Sequence, residues 1–201
     1  LMRTGCAFVL LGTGDERYED FMRGDEARYP GRVHAHLTYD ESFSRRVYAG
    51  ADFLLMPSAF EPCGLSQMIA MRYGTLPIVH EVGGLRDTVR PYNRFTGEGN
   101  GFSFTNYSVS DMLGVVRYAL ESCANGETRR RLVHQAMETD FSFAPSAEKY
   151  AELFLSLMPG ESVEARHDPF DERFRAPLGA VRCGESVRFF IETGDNCREA
   201  F

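Results

Sequence analysis

ADFLLMPSAFEPCGLSQMIAMRYGTLPIVHEVGGLRDTV, residues 51–89, is the stretch that decides the fold. DFLLMP (52–57) and LPIVH (76–80) are apolar runs of strand length, and residues 64–73 between them carry a helical pattern. Strands without polar alternation have both faces buried, so these two belong to a parallel sheet covered by helices on each side. The pattern continues outward. CAFVLLG (6–12), RVHAHLTY (32–39) and GFSF (101–104) read as further strands. Helices are expected over 15–28 and over 41–50, the second with Phe43, Val47 and Tyr48 on one side. Three more are expected over 108–123, 127–140 and 145–158. The expected fold class is α/β: a Rossmann-like parallel sheet with helices on both faces, incomplete at its start, with a short β appendage.

Ligands of such sheets sit beyond the carboxyl ends of the strands. Those ends are Gly12–Asp15, Thr38–Asp40, Pro57–Leu65 and His80–Leu85. In the third loop Glu61 is presented just before a helix that opens at Gly64, Leu65 and Ser66. Amides at a helix start lack internal partners, and Gly64 removes bulk, so a phosphate can approach the backbone there. Ser66 adds a hydroxyl. A carboxylate beside such a cradle repels phosphate, which suits Glu61 to sugar hydroxyls instead. The competing reading makes Glu61 a helix cap, with Pro62 and Cys63 shaping the turn.

Composition narrows the partners. The 201 residues are 43% hydrophobic and 25% charged, ordinary for a globular domain, and the net charge of -7 argues against nucleic acid or an anionic membrane. Five cysteines are an odd, scattered set without paired CxxC spacing, which points to a reducing cytoplasm rather than a disulfide framework or zinc site. No apolar run is long enough to span a bilayer, and LMRTGCAFVLLGTGD is not a signal peptide. A chain starting almost inside a core strand is expected to be cut from a longer polypeptide.

PSAFEPCGLSQMIAMRYGTLPIV followed by GGLRDTV resembles the hallmark stretch of bacterial glycogen synthases and plant starch synthases, glycosyltransferase family 5. The resemblance extends through LLGTGD, YPGRVHAHLTYDE, FSRRVYAGAD, TGEGNGFSF and DFSFAPSAEKYAELF, covering about residues 6–158. It implies the carboxy-terminal half of a GT-B fold in a retaining enzyme. That enzyme moves glucose from ADP-glucose to the non-reducing end of an α-1,4-glucan, without cofactor or metal. Glu61 then contacts the donor glucose and is required for transfer, while Gly64, Leu65 and Ser66 hold the distal phosphate, and Cys63 and Thr38 count among the substrate-binding residues. Tyr39, in Thr38-Tyr39-Asp40, lies against adenine. Departures are Ile69, where many GT-B retaining enzymes have a second Glu, and Ala59, where the family usually has Arg. The family's phosphate-neutralising Arg and Lys lie upstream of this segment, as does its amino-terminal domain with the glucan acceptor site. The isolated chain is therefore expected to be inactive. Alternatives are another retaining GT-B transferase, or a non-catalytic nucleotide- or glucan-binding module.

The remaining signals are weaker. Gly12-Thr13-Gly14 is part of a dinucleotide fingerprint without its third glycine, so a turn suffices. His34 and His36 alternate on a strand without an evident third metal ligand. Gly83-Gly84 reads as a loop near the donor, Cys63 as a packed neighbour of Glu61, and Arg129, Arg130 and Arg131 as a solvated helix face. The expected domains are 1–158 for the nucleotide sugar, 159–178 as linker, and 179–201 as the start of a β module. DPFDERFRAPLGAVRCGESVRFFIET also resembles the opening of the β-sandwich module that precedes the barrel in amylase and pullulanase relatives. Strand pairing is expected within 179–193.

Overall fold

The computed structural model describes residues 1–157 and the backbone of 165–166, 175–176, 188–189 and 192–193. It divides into two compact units, Leu1–Phe141 and Ser142–Phe201. In the first, β1 (Phe8–Leu11) leads through α1 (Glu16–Arg28) to β2 (Val33–His36), and α2 (Glu41–Gly50) to β3 (Phe53–Met56). Then come α3 (Ser66–Arg72), β4 (Leu76–His80), α4 (Gly83–Thr88), β5 (Phe102–Phe104), α5 (Val109–Ala124) and α6 (Gly126–Glu138). The apolar runs form strands and the intervening periodic stretches form helices, as expected.

Every strand pair in this unit is parallel. The strands do not form one continuous sheet, however. β1 pairs with β2, and separately β3, β4 and β5 pair in that order. Apolar composition predicts that a strand is buried but not which edge meets which neighbour. Among the described residues, β1 and β3 each have a strand partner on one side only.

β4 is buried along its whole length, which explains its unbroken apolar sequence. Ile78, Val79 and Phe102 pack with Val116 and Ala119 of α5 and Leu132 and Ala136 of α6. The ends are set by local chemistry: Asp15, Asp40, Ser108 and Asn125 each accept an amide at a helix start. Asn106 and Ser108 side chains also donate to Asp111, holding its carboxyl below the usual range. Burial pushes the Cys123 thiol up, opposed by the nearby Arg129. Leu132 has no exposed surface and sits inside this cluster. Leu132→Ala is expected to lower stability by about 2–5 kcal/mol, read as a shifted urea midpoint at unchanged slope.

Two of the three arginines on α6 do more than face solvent. Arg129 pairs with Asp52, and Arg131 lies over Gly97, where an added Cβ would come within 2.4 Å of its guanidinium. In the second unit, α7 spans Phe143–Leu157. Two short antiparallel ladders pair β6 (Ala165–Arg166) with β9 (Glu192–Thr193), and β7 (Arg175–Ala176) with β8 (Arg188–Phe189). The partners of 188–189 and 192–193 thus lie before residue 179, correcting the expected pairing within 179–193. Antiparallel ladders impose no upper limit on loop length, so an adjacent Gly turn does not choose the partner. The rest of 158–201 lies outside the described residues, and of the FRAPLGAV stretch behind the amylase-type resemblance only Arg175–Ala176 is described.

Candidate functional site

The loop after β3 is fixed by its backbone and leaves its functional side chains open. Glu61 is half-buried, and its carboxylate makes no hydrogen bond or ion pair with the described residues. The cap position of α3 belongs to Leu65, without any side-chain hydrogen bond, so Glu61 does not cap that helix. Its carbonyl is held instead: the Gly84 amide lies 3.3 Å from the Glu61 and Pro62 oxygens.

This contact depends on α4, which replaces the expected loop at Gly83-Gly84. Two glycines disfavour a helix intrinsically, but tertiary approach requires them here. A Cβ on Gly83 would sit 1.9 Å from the Glu61 carbonyl oxygen, and one on Gly84 2.0 Å from that of Cys63. Gly83 (φ 44°) and Gly64 (φ 73°) also adopt the left-handed region. The start of α4 is therefore pressed backbone-to-backbone against residues 61–63.

On the other side of the loop, Gln67 is fully buried in α3. The two N–H groups of its Nε2 are shared among the Cys63 carbonyl (3.2 Å), the Gly64 carbonyl (2.8 Å) and Thr88 Oγ1 (3.0 Å). Thr88 Oγ1 in turn donates to the Gly84 carbonyl at 2.6 Å. Sequence reasoning passed over Gln67. The available signal was a polar residue on the packed face of the otherwise apolar QMIAM run.

At the rim, His80 has Nδ1 2.8 Å from the Ser58 carbonyl and Nε2 3.3 Å from that of Thr105. It stacks on Phe104, so one ring bridges the ends of β3, β4 and β5. Glu81, next along, accepts from Ser103 (2.6 Å) and Thr105 (3.2 Å).

The other sequence-derived candidates divide. Gly64, Leu65 and Ser66 lie where expected, but α3 has only seven residues, too short for a large macrodipole. Any anion there depends on amide groups themselves. Cys63 is exposed rather than packed, its Sγ 3.8 Å from the Gly64 carbonyl. Tyr39 is 84% exposed, which disposes of a core role, and Thr38 beside it is exposed. Both follow β2, in the other ladder, and no hydrogen bond or ring contact joins them to residues 61–66. Asp40 caps α2 through the Phe43 amide at 2.8 Å. His34 and His36 do share a face, with ring centroids 6.2 Å apart, but each faces a carboxylate: Glu26 at 2.7 Å and Asp40 at 3.6 Å.

Comparisons with known proteins bear on the fold and the family. The chain is 49% identical over 158 residues to a glycogen synthase of Clostridium perfringens, covering 79% of this chain and 33% of that protein. It is 52% identical over 151 residues to one of Lachnospira eligens, covering 75% and 32%. Thus it spans about a third of the length of these relatives. Among solved structures, it matches the catalytic domain of starch synthase IV from Arabidopsis thaliana bound to ADP and acarbose. That match has a TM-score of 0.68 and 36% identity, covering 77% of this chain and 33% of that one. The fold is accordingly the Rossmann-like domain of a GT-B glycosyltransferase. The family model described as glycosyl transferases group 1 matches residues 2–139. Since that match takes in both parallel ladders, the Glu61 loop and α4, and not one motif alone, the chain belongs to the glycosyl transferases group 1 family.

Proposed function

We propose that the polypeptide carrying this chain transfers glucose from ADP-glucose to the non-reducing end of an α-1,4-glucan with retention, and that this chain supplies the donor site. The observation that carries the reading is the Glu61 loop: a carboxylate unpaired among the described residues, beside Gly64 and Leu65, on a backbone locked by α4 and Gln67. The likeness to glycogen synthases across this loop supports the choice of donor and acceptor.

On this reading, Glu61 accepts hydrogen bonds from the donor's glucose hydroxyls and orients the anomeric carbon. Cys63, Gly64, Leu65 and Ser66 hold the distal phosphate through backbone amides, stabilising charge as the glycosidic C–O bond breaks. The leaving phosphate oxygen takes the acceptor's proton on the same face of the sugar. Tyr39 stacks on adenine, and the glucan is held by segments outside this chain. The same reading places the protein in the cytoplasm, with neither nucleic acid nor membrane as partner. The test is radiolabel transfer to glycogen by the whole polypeptide. ADP-glucose is expected to be used well above UDP-glucose, and the isolated chain to transfer none. Equal use of both donors, or no transfer from either, would overturn the assignment.

The base site has its own test. Aromatic–base stacking is worth roughly 1–3 kcal/mol, so Tyr39→Ala is expected to weaken ADP by about tenfold while leaving pyrophosphate unchanged. Titration calorimetry with both ligands reads the difference, and equal losses would exclude stacking.

A further inference from the structure

We infer that Gln67 is a positioning residue that turns three consecutive loop amides toward the donor's diphosphate; this rests on the donor-site reading above. In a trans peptide, the carbonyl of one residue and the N–H of the next point in opposite directions. The Pro62 carbonyl faces the Gly84 amide, and the Cys63 and Gly64 carbonyls face Gln67 Nε2. The N–H groups of Cys63, Gly64 and Leu65 are thereby turned away from α4 and Gln67. None of the three donates to an acceptor among the described residues. Gly64 in the left-handed region followed by Leu65 in the right-handed region (φ -104°) curls successive amides into a concave anion-binding nest.

The orientation of the Gln67 amide follows from its neighbours. Two carbonyl oxygens accept only, and the Thr88 hydroxyl spends its proton on Gly84, so all three partners require Nε2 rather than Oε1. Oε1 is left buried without a partner, against the bare Cα of Gly64. A purely space-filling residue would avoid that penalty. Gln67 accepts it because one amide can hold two carbonyls of the loop only in this pose. Gln67 itself never touches the ligand.

The test uses the whole polypeptide and compares ADP with adenosine, which lacks the phosphates. Gln67→Met keeps the length of the side chain and removes the donors. Calorimetry is expected to show ADP weakened about tenfold or more with adenosine unchanged, as for loss of charge-assisted amide contacts. KM for ADP-glucose should rise in parallel. Equal weakening of ADP and adenosine, or no weakening of either, would overturn the role of Gln67 while leaving the donor reading intact. No ADP binding by the unsubstituted protein would instead overturn the donor reading itself. Should Gln67→Met fail to fold, Thr88→Val carries the same comparison. It removes the hydroxyl that ties Gln67 to Gly84, and about a threefold selective loss of ADP is expected. Unchanged ADP affinity there would count against the inference.

Discussion

Glu61→Ala in the whole polypeptide is expected to lower glucosyl transfer at least about a thousandfold, with thermal stability unchanged. The two halves of that expectation have separate causes. The Glu61 carboxylate makes no hydrogen bond or ion pair among the described residues, so removing it deprives their packing of no polar contact. The backbone at Glu61 is held by the Gly84 amide, which the substitution leaves in place. The activity loss should appear in kcat more than in KM, because the carboxylate orients the sugar as it reacts while the nucleotide supplies most of the donor's binding. Near-normal kcat in the folded variant would remove Glu61 from the reaction. A large loss of stability would show a structural role that the geometry does not suggest.

Gly84→Ala should do the reverse and damage the fold first. Its new Cβ would meet the Cys63 carbonyl oxygen at 2.0 Å and the Cys63 Cα and carbonyl carbon at 2.6 Å. These are backbone atoms, which cannot swing aside as a side-chain tip does. Either α4 separates from the loop or residues 61–64 shift. A stability loss of about 3 kcal/mol is expected, with ADP-glucose KM raised because the outward-facing amides move with the loop. Gly24→Ala provides the contrast. Gly24 lies inside α1 with nothing within 4 Å of its added Cβ. That substitution is expected to stabilise by about 0.5–1 kcal/mol and to leave KM alone. Thermal melts of the two variants side by side check both signs. If Gly84→Ala melts like the parent, the close approach of α4 to the loop is wrong.

Much of the fold was legible because burial writes itself into composition. Leu76 to His80 had to be a strand with two covered faces, and it is buried throughout. The structure adds that Asp40 and Ser108 cap the helices expected over 41–50 and 108–123, since short polar side chains satisfy amides that the helix cannot. The same logic singled out the 57–66 loop as the candidate site, where Glu61, Gly64 and Ser66 follow an apolar strand end. The second unit was harder. Arg188–Phe189 pairs with Arg175–Ala176, a choice between distant extended segments that no local pattern encodes.

By itself, then, the sequence determined most of the strands and helices of the first unit and that those strands would run parallel. These depend on periodicity, on apolar content and on backbone groups within a few residues of one another. Only the tertiary structure decided that Gly83–Thr88 is a helix, since its glycines answer to the carbonyls of Glu61 and Cys63 some twenty positions earlier. It also gave Gln67 and His80 their roles. Gln67 joins the carbonyls of its own loop to the Thr88 hydroxyl of α4, and the His80 ring nitrogens lie 2.8 Å and 3.3 Å from the Ser58 and Thr105 carbonyls. A hydrogen bond is directional and reaches about 3 Å, so its partner is fixed only when packing has brought the two elements together.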